Sequence, residues 1–175
     1  MKVAFIIGHT EKSKGAVNVL NGLKEFDYYK EVCKSLDFDV YEHDKNISGY
    51  TTRIKETASR VNKKDYDLVM SLHFNSFKGS ANGCETLYYF NSNFGKRYAK
   101  LWNTFFSNKT KIKDRGIKAL ANKNDRGFAV LKYVNATTIL IEPFFGSNIN
   151  DCKKVDVCLM AELLNQFIEL NKKPY

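Results

Sequence analysis

Short, unbroken apolar runs alternate along this chain with longer stretches in which apolar residues recur every three or four positions. The first pattern predicts buried strands and the second predicts amphipathic helices. Val3 to Ile7 (VAFII) ends at Gly8-His9 and reads as a strand, and Gly15 to Gly22 reads as a loop. Tyr28, Tyr29, Val32, Cys33 and Leu36 predict a helix from Glu25 to Leu36. Phe38 to Tyr41 alternates and predicts a second strand. Thr51 and Thr52 suit the cap of a helix that carries Ile54, Ala58 and Val61 on one face and ends at Asn62. Leu68–Leu72, Gly83–Phe90, Phe128–Leu131 and Thr137–Ile141 predict further strands; Phe94–Phe106 and Val155–Leu170 predict further helices. Strands alternating with helices indicate an α/β sheet covered on both faces.

Composition sharpens this picture. A chain of 175 residues makes one domain, and 43% hydrophobic content supplies a core without disulfide staples. Cys33, Cys84, Cys152 and Cys158 are widely spaced, with no C-x-x-C pair, so reduced and mostly buried thiols are expected. The first apolar run is five residues long, too short for an export signal or a membrane span. The expectation is synthesis in the cytoplasm, with no stable membrane insertion.

Lys and Arg total 28 against 19 Asp and Glu, a net charge of +9. Such an excess suits a polyanionic partner, and it also suits plain solubility. The densest cationic stretch, Lys109 to Lys118, reads as a basic loop; no arginine-rich tail of the nucleic-acid-binding kind is visible.

Chemistry gathers where strands end. VAFIIG runs into His9, LVMSL into His73 and TTILI into Glu142. In open α/β sheets, sites form beyond the carboxyl ends of the strands, so these three groups can meet in space. The third histidine, His43, stands between Glu42 and Asp44 and reads as part of a solvated turn. Catalytic zinc sites use three protein ligands of mixed His and carboxylate type. His9 and His73 provide two, and Glu11, Glu25, Asp27 and Glu31 are candidates for the third. Glu25 is the best placed, because it opens a helix after a loop long enough to fold back over the sheet.

Taken in order, VAFIIGHT, NGLKEFDYYKEV, SLHFNS, GCETLYY, DRGIK and GFAVLKYVNATTILIEPFFGSN resemble the pattern of zinc-dependent N-acetylmuramoyl-L-alanine amidases of the type 3 family. The likeness runs from Lys2 to about Leu170. It implies a mixed, mainly parallel sheet of about six strands flanked by helices on both faces. It also implies one Zn2+ held by His9, Glu25 and His73, with Glu142 as the catalytic carboxylate. The implied substrate is peptidoglycan, cut between muramic acid and L-alanine. Two departures stand out: Thr10-Glu11-Lys12 after the first histidine, and Pro143-Phe144-Phe145 after Glu142. Both alter the rim and spare the four principal groups.

Around that centre, Asn75 is a candidate for a substrate hydrogen bond, and Arg115 and Lys118, with Lys111 and Lys113, for binding stem-peptide carboxylates. A solvated basic loop is the alternative for those cations. The resemblance fits a phage endolysin without a separate wall-binding module, acting on the wall after the membrane is permeabilised. An anionic envelope surface is then the expected partner of the +9 charge, and nucleic acid is not. The rival readings are a zinc peptidase cutting within the stem peptide and a basic nucleic-acid-binding module. The second is disfavoured, because the aromatics fall on core stripes.

Overall fold

The computed structural model describes residues 1–78 and 80–172. Among them the chain forms six strands and six helices: β1 (Val3–Ile7), α1 (Glu25–Cys33), β2 (Asp39–Tyr41), α2 (Tyr50–Val61), β3 (Leu68–Leu72), β4 (Cys84–Tyr89), α3 (Asn93–Thr110), β5 (Asp114–Leu120), α4 (Phe128–Tyr133), β6 (Thr137–Glu142), α5 (Ile149–Cys152) and α6 (Val157–Lys172). The strands make one sheet in the order β2-β1-β3-β6-β4-β5. β2, β1, β3 and β6 run parallel; β4 is antiparallel to β6, and β5 runs parallel to β4. The expected mixed, mainly parallel α/β sheet is therefore present.

Every residue of β1 and β3 is buried. Strands covered on both faces have no solvent side, which is why they read as unbroken apolar runs. Phe5, Met70 and Ile139 occupy adjacent register positions and face the core formed with α1, α3 and α6. Ile6, Val69 and Leu140 face the opposite layer, built on α2 and α4 around Ile54, Ala58 and Val130. No helix among the described residues is long and apolar enough to cross a membrane.

Three expectations are corrected. Phe128 to Leu131 is not a strand but the start of α4. Gly127, at φ 88°, turns the chain into this helix, and Ala129, Val130 and Leu131 are all buried. Three consecutive buried residues look the same in a strand as in one helical turn enclosed on several sides. Second, half of the basic loop, Asp114 to Lys118, lies in strand β5, at the edge of the sheet and largely exposed, and Lys109 and Thr110 end α3. Charged side chains are normal on an edge strand, where they discourage pairing with other chains. Third, His43 is not in a solvated turn. It is only 7% exposed, and its Nδ1 lies 2.7 Å from Thr57 Oγ1 of α2.

The remaining differences lie at element ends. The second helix starts at Tyr50 after Gly49 and has no side-chain cap from the threonines. α3 begins at a capped end, where Ser92 Oγ accepts from the Gly95 amide at 2.9 Å. Cys84 and Cys152 are buried, Cys33 is partly buried and Cys158 is exposed; all four are free thiols.

Candidate metal centre

The site is assembled from the ends of β1, β3 and β6 and the start of α1. β1 passes through Gly8, whose amide donates to Leu72 O at 3.0 Å, and the chain turns sharply at His9. His9 adopts φ 65°, a left-handed conformation that costs energy for a residue with a side chain. That turn points the imidazole back over the sheet, with Nε2 3.1 Å from Glu25 Oε2. His73 follows β3. Its amide donates to Ile141 O at 3.1 Å, its carbonyl accepts from Tyr29 Oη at 2.7 Å, and its Nδ1 lies 2.9 Å from Glu25 Oε1.

Glu25 is the first residue of α1 and is only 2% exposed. A carboxylate at a helix N-terminus is favoured by the helix dipole and by the free amides there. Its two oxygens also accept from Phe74 N at 3.1 Å and Ala16 N at 3.2 Å. Burial pushes the Glu25 carboxyl up. Hydrogen bonds and charge from His73 and His9 outweigh that and bring it down to about 2.

One ligand-competent atom each from His9, Glu25 and His73 lies within 4.8 Å of the other two. The surrounding backbone is shaped to this cluster. A Cβ on Gly8 would sit 2.3 Å from His73 Cε1, and one on Gly15 would sit 2.6 Å from both Glu25 Oε2 and His9 Cδ2. Only glycine leaves room for the rings there. Two imidazoles and one carboxylate converging in such a cradle fit a divalent metal of the type that retains an open position.

Glu142 ends β6 beside His73, because Leu72 pairs with Ile141 in the parallel ladder. Its Oε2 is fully enclosed and has no hydrogen-bond partner. Burial, followed by the charges of Glu25 and Glu85, pushes its carboxyl well above the usual range. A carboxyl whose proton affinity is raised by its surroundings, next to a candidate metal site, is suited to proton transfer.

Asn75 and Arg115 meet at a residue the sequence reading did not single out. Glu85 of β4 pairs with Glu142 across the antiparallel ladder. Its Oε1 accepts from Asn75 Nδ2 at 2.9 Å, and its Oε2 accepts from Arg115 Nε at 3.3 Å. The Arg115 guanidinium also lies 5.1 Å from the centre of the Phe145 ring. Lys118 lies farther along β5 opposite Leu87, exposed and outside this network. Lys111 and Lys113 are also exposed. A glutamate within the aromatic run CETLYY was the available signal for Glu85. An acid placed in a sheet interior needs partners, and Asn75 and Arg115 provide them.

The model of the type 3 N-acetylmuramoyl-L-alanine amidase family matches residues 3–160. The chain belongs to that family. It is 29% identical over 175 residues to the N-acetylmuramoyl-L-alanine amidase LytC of Bacillus subtilis, a match covering 92% of this chain and 32% of LytC. The chain thus spans about a third of that relative's length. Among solved structures, it resembles the catalytic domain of the CD27L endolysin targeting Clostridia difficile, with a TM-score of 0.80 and 28% identity over 100% of this chain and 99% of that one. It also resembles an N-acetylmuramoyl-L-alanine amidase from Clostridium difficile 630, with a TM-score of 0.75 and 25% identity over 99% and 98% of the two chains.

Proposed function

We propose that the protein is a zinc-dependent amidase that hydrolyses the bond between N-acetylmuramic acid and L-alanine in peptidoglycan. The observation that carries this reading is the convergence of His9, Glu25 and His73 beside Glu142, whose Oε2 is enclosed and unpartnered. His9, Glu25 and His73 would hold the ion. When bound, Zn2+ supplies Lewis acidity and lowers the pKa of water from about 15.7 toward about 7.

The rest of the chemistry belongs to the chain. Glu142, favoured in its ionised form by the charge of a bound cation, takes the proton of the attacking water and returns it to the departing amine of L-alanine; burial raises the carboxyl's affinity for the proton in between. Glu25 stays ionised, and its two oxygens, 3.1 Å from His9 Nε2 and 2.9 Å from His73 Nδ1, gather both imidazoles at the position where the three residues would hold the ion. Tyr29 anchors the peptide carbonyl of His73. Asn75 and Arg115, set by Glu85, offer N–H donors to substrate oxygens along the adjacent edge.

Digestion of purified peptidoglycan with and without a chelator tests this reading. New amino-terminal L-alanine and peptide-free glycan strands are expected, with both lost on chelation and regained with zinc. Cuts inside the stem peptide would instead identify a peptidase. His73→Ala should lower bound zinc measured by elemental analysis, and unchanged zinc content would remove His73 from the ligand set.

We also propose that the protein serves as an endolysin, made in a host cytoplasm and reaching the wall once the membrane is permeabilised. The likeness to the CD27L catalytic domain over nearly its full length supports this role. Induced expression should leave cells intact until a membrane-permeabilising agent is added, and should then lyse them. Lysis independent of that agent would overturn the role.

A further inference from the structure

An open groove of about 480 Å³ lies at the carboxyl ends of β1 and β2, lined by Glu11, Glu42, His43, Asp44 and Lys45 together with Glu56 and Arg60 of α2. The lining has four carboxylates against two cations, in a molecule whose net charge is +9. Three of the four carboxylates have ion-pair partners: Glu11 with Lys45, Glu42 with Lys30 at 3.3 Å, and Glu56 with Arg60 at 2.6 Å. Such partly exposed pairs are weak and exchange readily.

His43 makes this more than an acidic cluster. It is nine-tenths buried and lines the groove. The Thr57 hydroxyl donates to Arg53 O at 3.2 Å, so its oxygen must accept from the ring, and Nδ1 carries the proton. Arg60 Nη2 also approaches that oxygen, at 3.4 Å. Nε2 is therefore a bare acceptor, and it has no hydrogen-bond partner among the described residues. Burial, with the charges of His73, Arg53, Arg60 and His9, brings the His43 pKa down to about 3, so the ring stays neutral. The groove thus presents an imidazole acceptor in a lining that also carries four carboxylates. A ligand with several N–H donors and positive charge matches that surface, and an ammonium has three donors.

We propose that this groove is a subsite for the side-chain ammonium of the substrate's stem peptide. The proposal rests on the amidase reading above. Glu11, two residues after His9, lines the groove, so the groove adjoins the candidate metal centre. Stem peptides carry a diamino acid two residues beyond L-alanine. At 3.3–3.6 Å per residue, that position lies roughly 7–11 Å from the scissile amide.

The test measures binding and cleavage separately. Stem tripeptides ending in L-lysine or in meso-diaminopimelate are titrated against the full chain by calorimetry, each with its side-chain amine free or acetylated. The expected result is about tenfold weaker binding on acetylation of at least one of the two peptides. The sensitive peptide identifies which diamino acid is recognised. The rim variant Glu42→Gln/Asp44→Asn should reduce the discrimination to about twofold, and it avoids substituting the buried His43. Equal binding of the free and acetylated forms of both peptides would overturn the subsite, as would discrimination unchanged in the variant. Peptidoglycan digestion keeps the two readings apart. Cleavage without amine discrimination removes the subsite and leaves the amidase, whereas amine-selective binding without cleavage leaves the subsite and removes the amidase.

Discussion

Glu142 illustrates how one residue's surroundings prepare it for its chemistry. Its Oε2 has no partner, and burial favours the protonated carboxyl. Replacing it with glutamine keeps the volume and removes the titrating group. Glu142→Gln should therefore retain bound metal and thermal stability while kcat falls by about two to four orders of magnitude. Elemental analysis, calorimetry and release of L-alanine amino termini check the three parts, and a variant with near-normal kcat would take proton transfer away from this residue. His43 makes a different prediction. Its pKa is brought from 6.5 to about 3 in the folded protein, so the unfolded chain binds more protons between those values. Stability is then fully present above pH 6.5 and is lost as pH falls toward 3, by up to about 1.4 kcal/mol per pH unit from this group. Urea unfolding at pH 7, 6 and 5 should show a shallower loss in His43→Asn than in the wild-type chain. Parallel curves would show that His43 is not the titrating group.

At the scale of elements, the parts legible in the sequence were those whose surroundings are uniform. β1 and β3 are enclosed on both faces, and their apolar runs say so directly. The ends of β1, β3 and β6 were legible too, because an ionisable residue directly after an apolar strand is conspicuous. α4 and β5 were not. α4 is six residues long, shorter than two helical turns, so it has no period to detect. Only Ile117 and Leu120 of β5 turn away from solvent, leaving no alternation to read. His43 was misread because its charged sequence neighbours point outward while α2, distant in sequence, covers the ring. The four-residue α5 was invisible for similar reasons, yet it joins two strand ends. Its Asp151 is 3% exposed, and Oδ2 accepts from Gly83 N at 2.8 Å and Phe145 N at 3.1 Å. Asp151→Ala would leave two buried amides unpaired, at about 1–3 kcal/mol each, so a loss of roughly 2–6 kcal/mol is expected. Asp151→Asn keeps one carbonyl acceptor and should recover part of it. A shift of less than about 0.5 kcal/mol for the alanine variant would show that water replaces the carboxylate.

Across the whole molecule, charge is distributed by position in the sheet. Residues 93–120, which hold α3 and β5, carry eight of the 28 cations and one of the 19 acids. β5 is one edge of the sheet, and β2, next to the acidic groove, is the other. The candidate metal centre lies between them, over β1, β3 and β6. The +9 is therefore concentrated on one side, and Lys118, which joins no site, belongs to that basic face. Such a face suits attraction to an anionic envelope surface, and it lies away from the edge where the stem-peptide subsite is proposed. The attraction is long-range and exposed, so salt should screen it: the Debye length falls from about 10 Å at 0.1 M to about 3 Å at 1 M. Sedimentation with purified walls should show binding that weakens steadily over that range, while hydrolysis of a small soluble muropeptide changes little. Lys96→Gln/Lys100→Gln/Lys113→Gln should reproduce the high-salt behaviour at low salt. At roughly 1 kcal/mol per lysine near an anionic surface, wall affinity should drop at least about tenfold, with soluble turnover unaltered. Equal wall binding by the variant and the wild-type chain would mean that the charge excess only keeps the protein soluble.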